Sequence, residues 1–197
     1  MTIAGLLLAA GGARRFGSQK LVAPLGGVPL VRQAAAPLIA VMDATFVVVG
    51  HEAAAVRDAL TGLPVAFVIN HAWSEGLSTS LRAGVAVLPA DVDAVVIALG
   101  DQPALAAGAF DAVIHEWRAT QRPIVVTRYD GTRGHPVLFA REMFGELAAL
   151  EGDAGARHLV ERSAERVAYV DVSSPMPLDV DTSADLARLR GGIDGAR

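Results

Sequence analysis

The chain of 197 residues contains no cysteine. A disulfide framework, a zinc–thiolate site and a thiol nucleophile are thereby excluded, and the composition suits a reducing cytoplasm. Runs of Lys or Arg are also missing and the net charge is −4, which argues against nucleic acid, whose successive phosphates call for clustered cations. No apolar stretch reaches the roughly 20 residues that span a bilayer, which argues against a membrane. The hydrophobic start, residues 3–10, is too short, has neither a basic leader nor a small-residue cleavage site, and reads as a buried strand. A dinucleotide fingerprint, an HExxH motif and a Ser/His/Asp triad motif are absent as well. Aromatics amount to 5% where apolar residues amount to 52%, so the core must be built mainly from Ala, Val and Leu.

Apolar runs recur at residues 3–9, 45–49, 65–69, 94–99, 124–127 and 167–172, several of them β-branched. Segments with helical spacing lie between them at 30–42, 52–60, 80–88, 110–120 and 142–150. This alternation predicts an α/β fold, a Rossmann-like, mostly parallel but mixed sheet with helices on both faces. Continuous hydrophobicity in 6–10 and 94–99 marks central strands. A short strand at 136–140, fenced by Gly131, Gly134 and Pro136, is expected to pair antiparallel, and a last helix is expected from a cap at Ser183 to about Gly191. With no repeat and no linker, 1–197 reads as one domain. Ligands of such sheets gather outside the carboxyl ends of the strands.

The first such end is the loop LAAGGARRFGSQK at residues 8–20, which Leu8, Ala9, Ala10, Gly11 and Gly12 lead into. Glycines let backbone amides approach phosphate oxygens, and Arg15 and Lys20 can neutralise charge as pyrophosphate leaves. It is not a P-loop, because Ser18-Gln19 stands where Lys-Ser/Thr belongs. The same residue types also make plain surface loops. The loop resembles the signature loop of the MobA-like NTP transferases, and in particular that of molybdenum cofactor cytidylyltransferases. The resemblance runs in order from Leu8 to Asp185. It implies the nucleotide-diphospho-sugar transferase type of fold, with a nucleotide-binding half over about 1–105 and an acceptor-binding half over about 106–190.

Strand 94–99 ends in Gly100-Asp101-Gln102-Pro103. A carboxylate there can hold Mg²⁺, which takes only one or two protein carboxylates, although Asp before Pro serves equally as a turn residue. The resemblance implies that Asp101 is a metal ligand and acts in catalysis with Arg15 and Lys20, and that Gly100 helps to bind the nucleotide. Residues 70–84 are similar to the family's base-binding loop, which implies contacts from Asn70, Ser78 and Ser80; hydroxyls at 78–80 also suit helix capping. His71 and Trp73 read as loop and packing residues. Segments 129–139 and 150–157 resemble acceptor-side loops, in which Gly134, His135 and Arg157 would hold a pterin and its phosphate. Residues 177–185 resemble the closing motif, implying Asp181 as a second metal ligand with Asp179 next in line, and a Thr-x-x-Asp pair opening the last helix.

Together these readings imply a Mg²⁺-dependent cytoplasmic nucleotidyltransferase that moves CMP from CTP onto the terminal phosphate of molybdopterin. A phosphate monoester is already largely anionic near neutral pH, so positioning and charge neutralisation suffice without a general base. Ala10 stands where the guanylyl branch resembles Leu-Ala-Gly-Gly, and its methyl crowds a purine, favouring cytosine over guanine. The alternatives are transfer from GTP, other phosphorylated acceptors, a non-catalytic cofactor carrier, and an NAD(P)H oxidoreductase on the same scaffold. The product would pass to a molybdoenzyme or its chaperone through transient contact.

Overall fold

The structure, a computed structural model, describes residues 1–12, 16, 19–153 and 155–194. The first half of the chain forms β1 (Thr2–Ala9), a small hairpin of β2 (Pro24–Leu25) and β3 (Val28–Pro29), α1 (Leu30–Val41), β4 (Ala44–Val49), α2 (Ala53–Ala59), β5 (Ala66–Ile69), α3 (Leu77–Ala86) and β6 (Val92–Leu99). The second half forms α4 (Ala107–Thr120), β7 (Ile124–Tyr129), β8 (Thr132–Ala140), α5 (Phe144–Ala148), α6 (Arg157–Arg162), β9 (Val167–Asp171) and α7 (Ser183–Asp194). Seven strands make one sheet in the order β5-β4-β1-β6-β8-β7-β9. All neighbours are parallel except β8, which is antiparallel to both β6 and β7.

The central strands are apolar on both faces, as a doubly covered sheet requires. Along β1, Ile3, Leu7 and Ala9 enter one core cluster with α1 and α4, while Leu6 and Leu8 enter the other with α3, α5 and α6. Two glycines let these layers close up. A Cβ on Gly5 would sit 2.8 Å from Leu38 of α1, and one on Gly84 of α3 would sit 2.5 Å from the side chain of Leu6. At these two points the helix layers therefore pack directly against backbone that a side chain would push away.

The late antiparallel strand is longer than its apolar core suggests. Asp130 and Gly131 both have positive φ, 47° and 80°, the signature of a two-residue type I′ turn between β7 and β8. β8 thus starts at Thr132, not near Pro136, and its register with β7 shifts between Val126 and Thr127. That bulge absorbs Pro136, which has no N–H to offer the ladder. Side chains of β7 take up the carbonyls it frees: Tyr129 Oη donates to His135 O at 2.6 Å, and Thr127 Oγ1 donates to Pro136 O at 2.7 Å.

Local boundaries differ from expectation in several places. The helix expected at 142–150 is a one-turn 3₁₀ segment, Arg141–Met143, followed by the short α5, whose second residue is the helix-weakening Gly145. α3 opens three residues earlier than expected, at Leu77. The hairpin β2–β3 and the six-residue α6 are too short to leave a periodic trace. Among the described residues no helix is long and apolar enough to cross a membrane.

Candidate active site

Lys20 opens a one-turn 3₁₀ helix, Lys20–Val22, whose position is fixed by the buried Gln19. The Gln19 carboxamide accepts from Leu21 N at 3.3 Å and donates to His51 O at 2.9 Å, tying the loop after β1 to the end of β4. Asp101 arrives from β6. Gly100 N donates to Leu8 O at 2.9 Å, which carries the parallel ladder one residue further and leaves Asp101 beside the first loop. Val180 N then donates to Asp101 O at 3.1 Å and brings Asp181 alongside.

The result is a compact charge cluster. Lys20 Nζ donates to Asp101 Oδ2 at 2.6 Å and to Asp181 Oδ1 at 2.9 Å. Burial works to lower the lysine pKa, but the charge of Asp101 and hydrogen bonds to both carboxylates outweigh it, so the ammonium is held above its ordinary value. Asp181 is itself held by a reciprocal cap. Asp185 Oδ2 accepts from Thr182 N at 2.7 Å, Thr182 Oγ1 at 2.8 Å and Asp181 N at 3.1 Å, while Thr182 Oγ1 accepts from Asp185 N. The Thr182 hydroxyl, followed by these backbone amides, holds the Asp185 carboxyl below its usual range against the opposing effect of burial. The cap of α7 is therefore Thr182.

Two cavities flank the cluster and share a wall of Leu8, Leu77 and Leu99. The first, about 360 Å³, is lined by Leu8, Ala9, Ala10, Gly11, Gly12 and Ser80 together with Lys20, Trp73, Asp101 and Asp153. Trp73 supports the loop from below: a Cβ on Gly12 would lie 2.8 Å from its ring, and its own ring meets His51 at 4.8 Å between centroids. The second cavity, about 500 Å³, is walled by apolar side chains of β6, β7 and β8 with Leu81 and Val160, and presents Gln102, Gly134, His135, Arg157 and Asp179. Burial pushes the His135 imidazole down to about 4, against a weaker upward pull from Asp101. It faces this cavity as a neutral group at neutral pH.

Not every residue singled out from the sequence faces a cavity. Asn70 is buried and its amide is used internally, donating to Thr79 Oγ1 and Ser80 Oγ and accepting from Ala72 N, so it shapes the loop before α3. Ser78 is 1% exposed and lines neither cavity. Gly100 acts through its backbone bond to Leu8; a Cβ there would press to 3.2 Å on Leu8 O. Arg15 lies outside the described residues. Gln102 and Asp153 line the second and first cavities respectively, and neither is a site candidate by sequence pattern. Gln102 was hidden beside a more conspicuous Asp101, and Asp153 in what reads as an inter-helix connection.

The donor set suits a divalent cation. Two carboxylates converge on one ammonium, which marks a position where positive charge is already stabilised. Among the described residues no group of three or more His, Asp or Glu side chains gathers as a metal site. Two protein ligands completed by water and phosphate match the habit of Mg²⁺ and Mn²⁺, which seldom take all-protein cages.

A mixed α/β sheet with a glycine loop after β1 and with a lysine and two carboxylates gathered beside the carboxyl end of β6 has the nucleotide-diphospho-sugar transferase type of fold. Residues 5–167 match the MobA-like NTP transferase domain, and the chain belongs to that family. It is 31% identical to nicotine blue oxidoreductase of Paenarthrobacter nicotinovorans over 198 residues, 95% of this chain and 96% of that protein. Among solved structures it is similar to Rv0371c of Mycobacterium tuberculosis H37Rv, at 33% identity and a TM-score of 0.87, covering 96% of this chain and 98% of that one. A manganese complex of Rv0371c aligns with a TM-score of 0.83 at 32% identity, over 97% and 99% of the two chains.

Proposed function

We propose that this protein transfers CMP from CTP to the terminal phosphate of a molybdopterin-type acceptor, with release of pyrophosphate. The observation that carries the reading is the Lys20 ammonium shared by Asp101 and Asp181 beside the wall common to two cavities. CTP occupies the smaller cavity, with its phosphates over Gly11 and Gly12, and the acceptor occupies the larger, more apolar one. A divalent cation on Asp101 and Asp181 supplies charge neutralisation when bound, as the manganese complex of a relative suggests. Lys20 adds a positive charge at the triphosphate. The acceptor phosphate oxygen forms the new bond to the α-phosphorus of CTP as the bond to pyrophosphate breaks, and no protein group need remove a proton. Ala10, 2% exposed and lining the nucleotide cavity, favours the smaller base.

The test is pyrophosphate release with Mg²⁺ and a molybdenum-loaded pterin acceptor, offering CTP, GTP, ATP and UTP beside an Asp101→Ala control. Turnover with CTP that the control loses is expected. Turnover with GTP alone transfers the reading to the guanylyl branch, and acceptor binding without release from any NTP replaces it with a carrier.

A second reading is redox chemistry, favoured by one observation: the relative from Paenarthrobacter nicotinovorans is called an oxidoreductase. Hydride transfer does not require a lysine bridging two carboxylates, so substitution of Asp101 separates the two. A transferase loses turnover, whereas a reductase retains NAD(P)H oxidation.

A further inference from the structure

Gln102 is 3% exposed and lines the larger cavity with Asp179. Its Nε2 donates to Asp179 Oδ1 at 2.6 Å, while its Oε1, shut away from solvent, has no hydrogen-bond partner. Turning the amide over would set Oε1 against the carboxylate, so the hydrogen-bond network keeps the acceptor atom unpaired. A buried carbonyl left in that state is a liability unless a ligand supplies its donor. Asp179 is committed to Gln102 while Asp101 and Asp181 share Lys20, which separates it from the metal pair. Enclosure raises its pKa, the Gln102 hydrogen bond opposes this, and the neighbouring Asp101 and Asp181 add to the rise.

We propose that Gln102 and Asp179 form a recognition element for the acceptor, reading a pair of adjacent N–H donors on the edge of a flat 2-amino-4-oxopyrimidine ring. This rests on the larger cavity being the acceptor site. Gln102 Oε1, closed off from solvent, takes one donor after a rotation of its carboxamide toward the ligand, and Asp179 takes the other. The surrounding walls, Ile97, Val126, Val137, Phe139 and Val160, are apolar and match the faces of a fused heterocycle. A sugar, with hydroxyls around its whole rim, would leave most of them unpaired against such walls.

The test compares two pteridines by isothermal titration on the full chain without nucleotide: pterin, which has the donor pair, and lumazine, in which a carbonyl replaces the 2-amino group. The wild type is expected to bind pterin about tenfold or more tightly than lumazine. Gln102→Met, of similar size and apolar, is expected to reduce that preference to about twofold; because it also removes the Nε2 bond to Asp179, the ratio of the two pteridines and not the affinity for either one is the readout. Asp179→Asn is expected to erase it too. Equal binding of both pteridines by the wild type, a comparison that needs no variant, overturns the proposal, as does an undiminished preference in both variants. Selective pterin binding without CMP transfer would leave this element standing and remove the transferase reading. If neither pteridine binds, the acceptor site and the element fall together.

Discussion

Lys20 and Asp101 stand 81 residues apart in the chain and 2.6 Å apart in the structure. Lys20 is also the single lysine of the sequence, so lysine-specific labelling reports on this site alone. On the proposed reading, the ammonium and a divalent cation draw on the same two carboxylates. Lys20→Met should therefore bind Mn²⁺ more tightly than the wild type in the absence of nucleotide, by severalfold, while pyrophosphate release slows by about a hundredfold or more. Weaker Mn²⁺ binding by the variant would show that Lys20 supports the cation and does not compete with it.

The ammonium also has a pH signature. Its folded pKa lies above the ordinary lysine value of 10.5. A raised lysine contributes stability that is fully present below the unfolded pKa and is lost as pH rises through the folded one. A ¹³Cε-lysine spectrum should show one titrating signal with its midpoint above 10.5, which Asp101→Asn should lower. A midpoint unmoved by that change would mean that the ion pair is not formed in solution.

Two glycine substitutions separate site from scaffold. An added Cβ on Gly11 meets nothing within 4 Å, yet Gly11 lines the nucleotide cavity. Gly11→Ala should leave unfolding free energy within about 0.5 kcal/mol of wild type and raise the nucleotide KM. Gly84→Ala should do the reverse. Its Cβ would lie 2.5 and 2.6 Å from the two methyls of Leu6, which is fully buried and has no room to yield. Overpacking of this kind costs about 1–3 kcal/mol, read by urea unfolding, with the nucleotide KM unchanged.

The sequence revealed the parts of the site that strand ends dictate. Asp101 stands two residues beyond β6 and Lys20 closes the long loop that leaves β1, so both belong to connections at the carboxyl ends of neighbouring parallel strands. Gln102 was visible as a residue but not as a recognition group, because its partner Asp179 lies 77 positions away on an irregular segment. Asn70 and Ser78 show the opposite difficulty. Polar side chains around an irregular turn give no periodic sign of direction, and these two point inward. Alternation made a mostly parallel, mixed sheet legible but not the order of its strands, and the start of β8 depended on Asp130 and Gly131 forming the turn, a detail that the more conspicuous Pro136 obscured.

Gly76 couples the two cavities and gives a further test. It adopts φ 119°, and a Cβ there would lie 2.5 Å from Asp153 Oδ1 and 2.8 Å from Gly152 O. The loop it touches supplies Asp153 to the first cavity and leads on to Arg157 in the second. Gly76→Ala must strain the backbone and push this loop away, at a cost of about 2 kcal/mol or more. Denaturant unfolding should register the loss, and the KM for both substrates should rise together. A rise in one alone would mean that the loop serves a single cavity.

His135 supplies the acid limb of the stability profile. Its imidazole titrates near 4 in the folded protein because burial disfavours the charged form, and Asp101 offsets this only in part. The unfolded chain binds the proton near pH 6.5. A depressed folded pKa contributes stability that is present above the unfolded value and lost as pH falls toward the folded one, so the relevant window runs from about 6.5 down to about 4. Urea unfolding across that window should show a loss on the order of 2 kcal/mol attributable to this residue, superimposed on the loss from the carboxylates. His135→Asn should flatten it. If the variant follows the wild-type profile at every pH, the neutral imidazole is not what the acceptor cavity holds, and the bulge at His135 and Pro136 opens far enough to admit water.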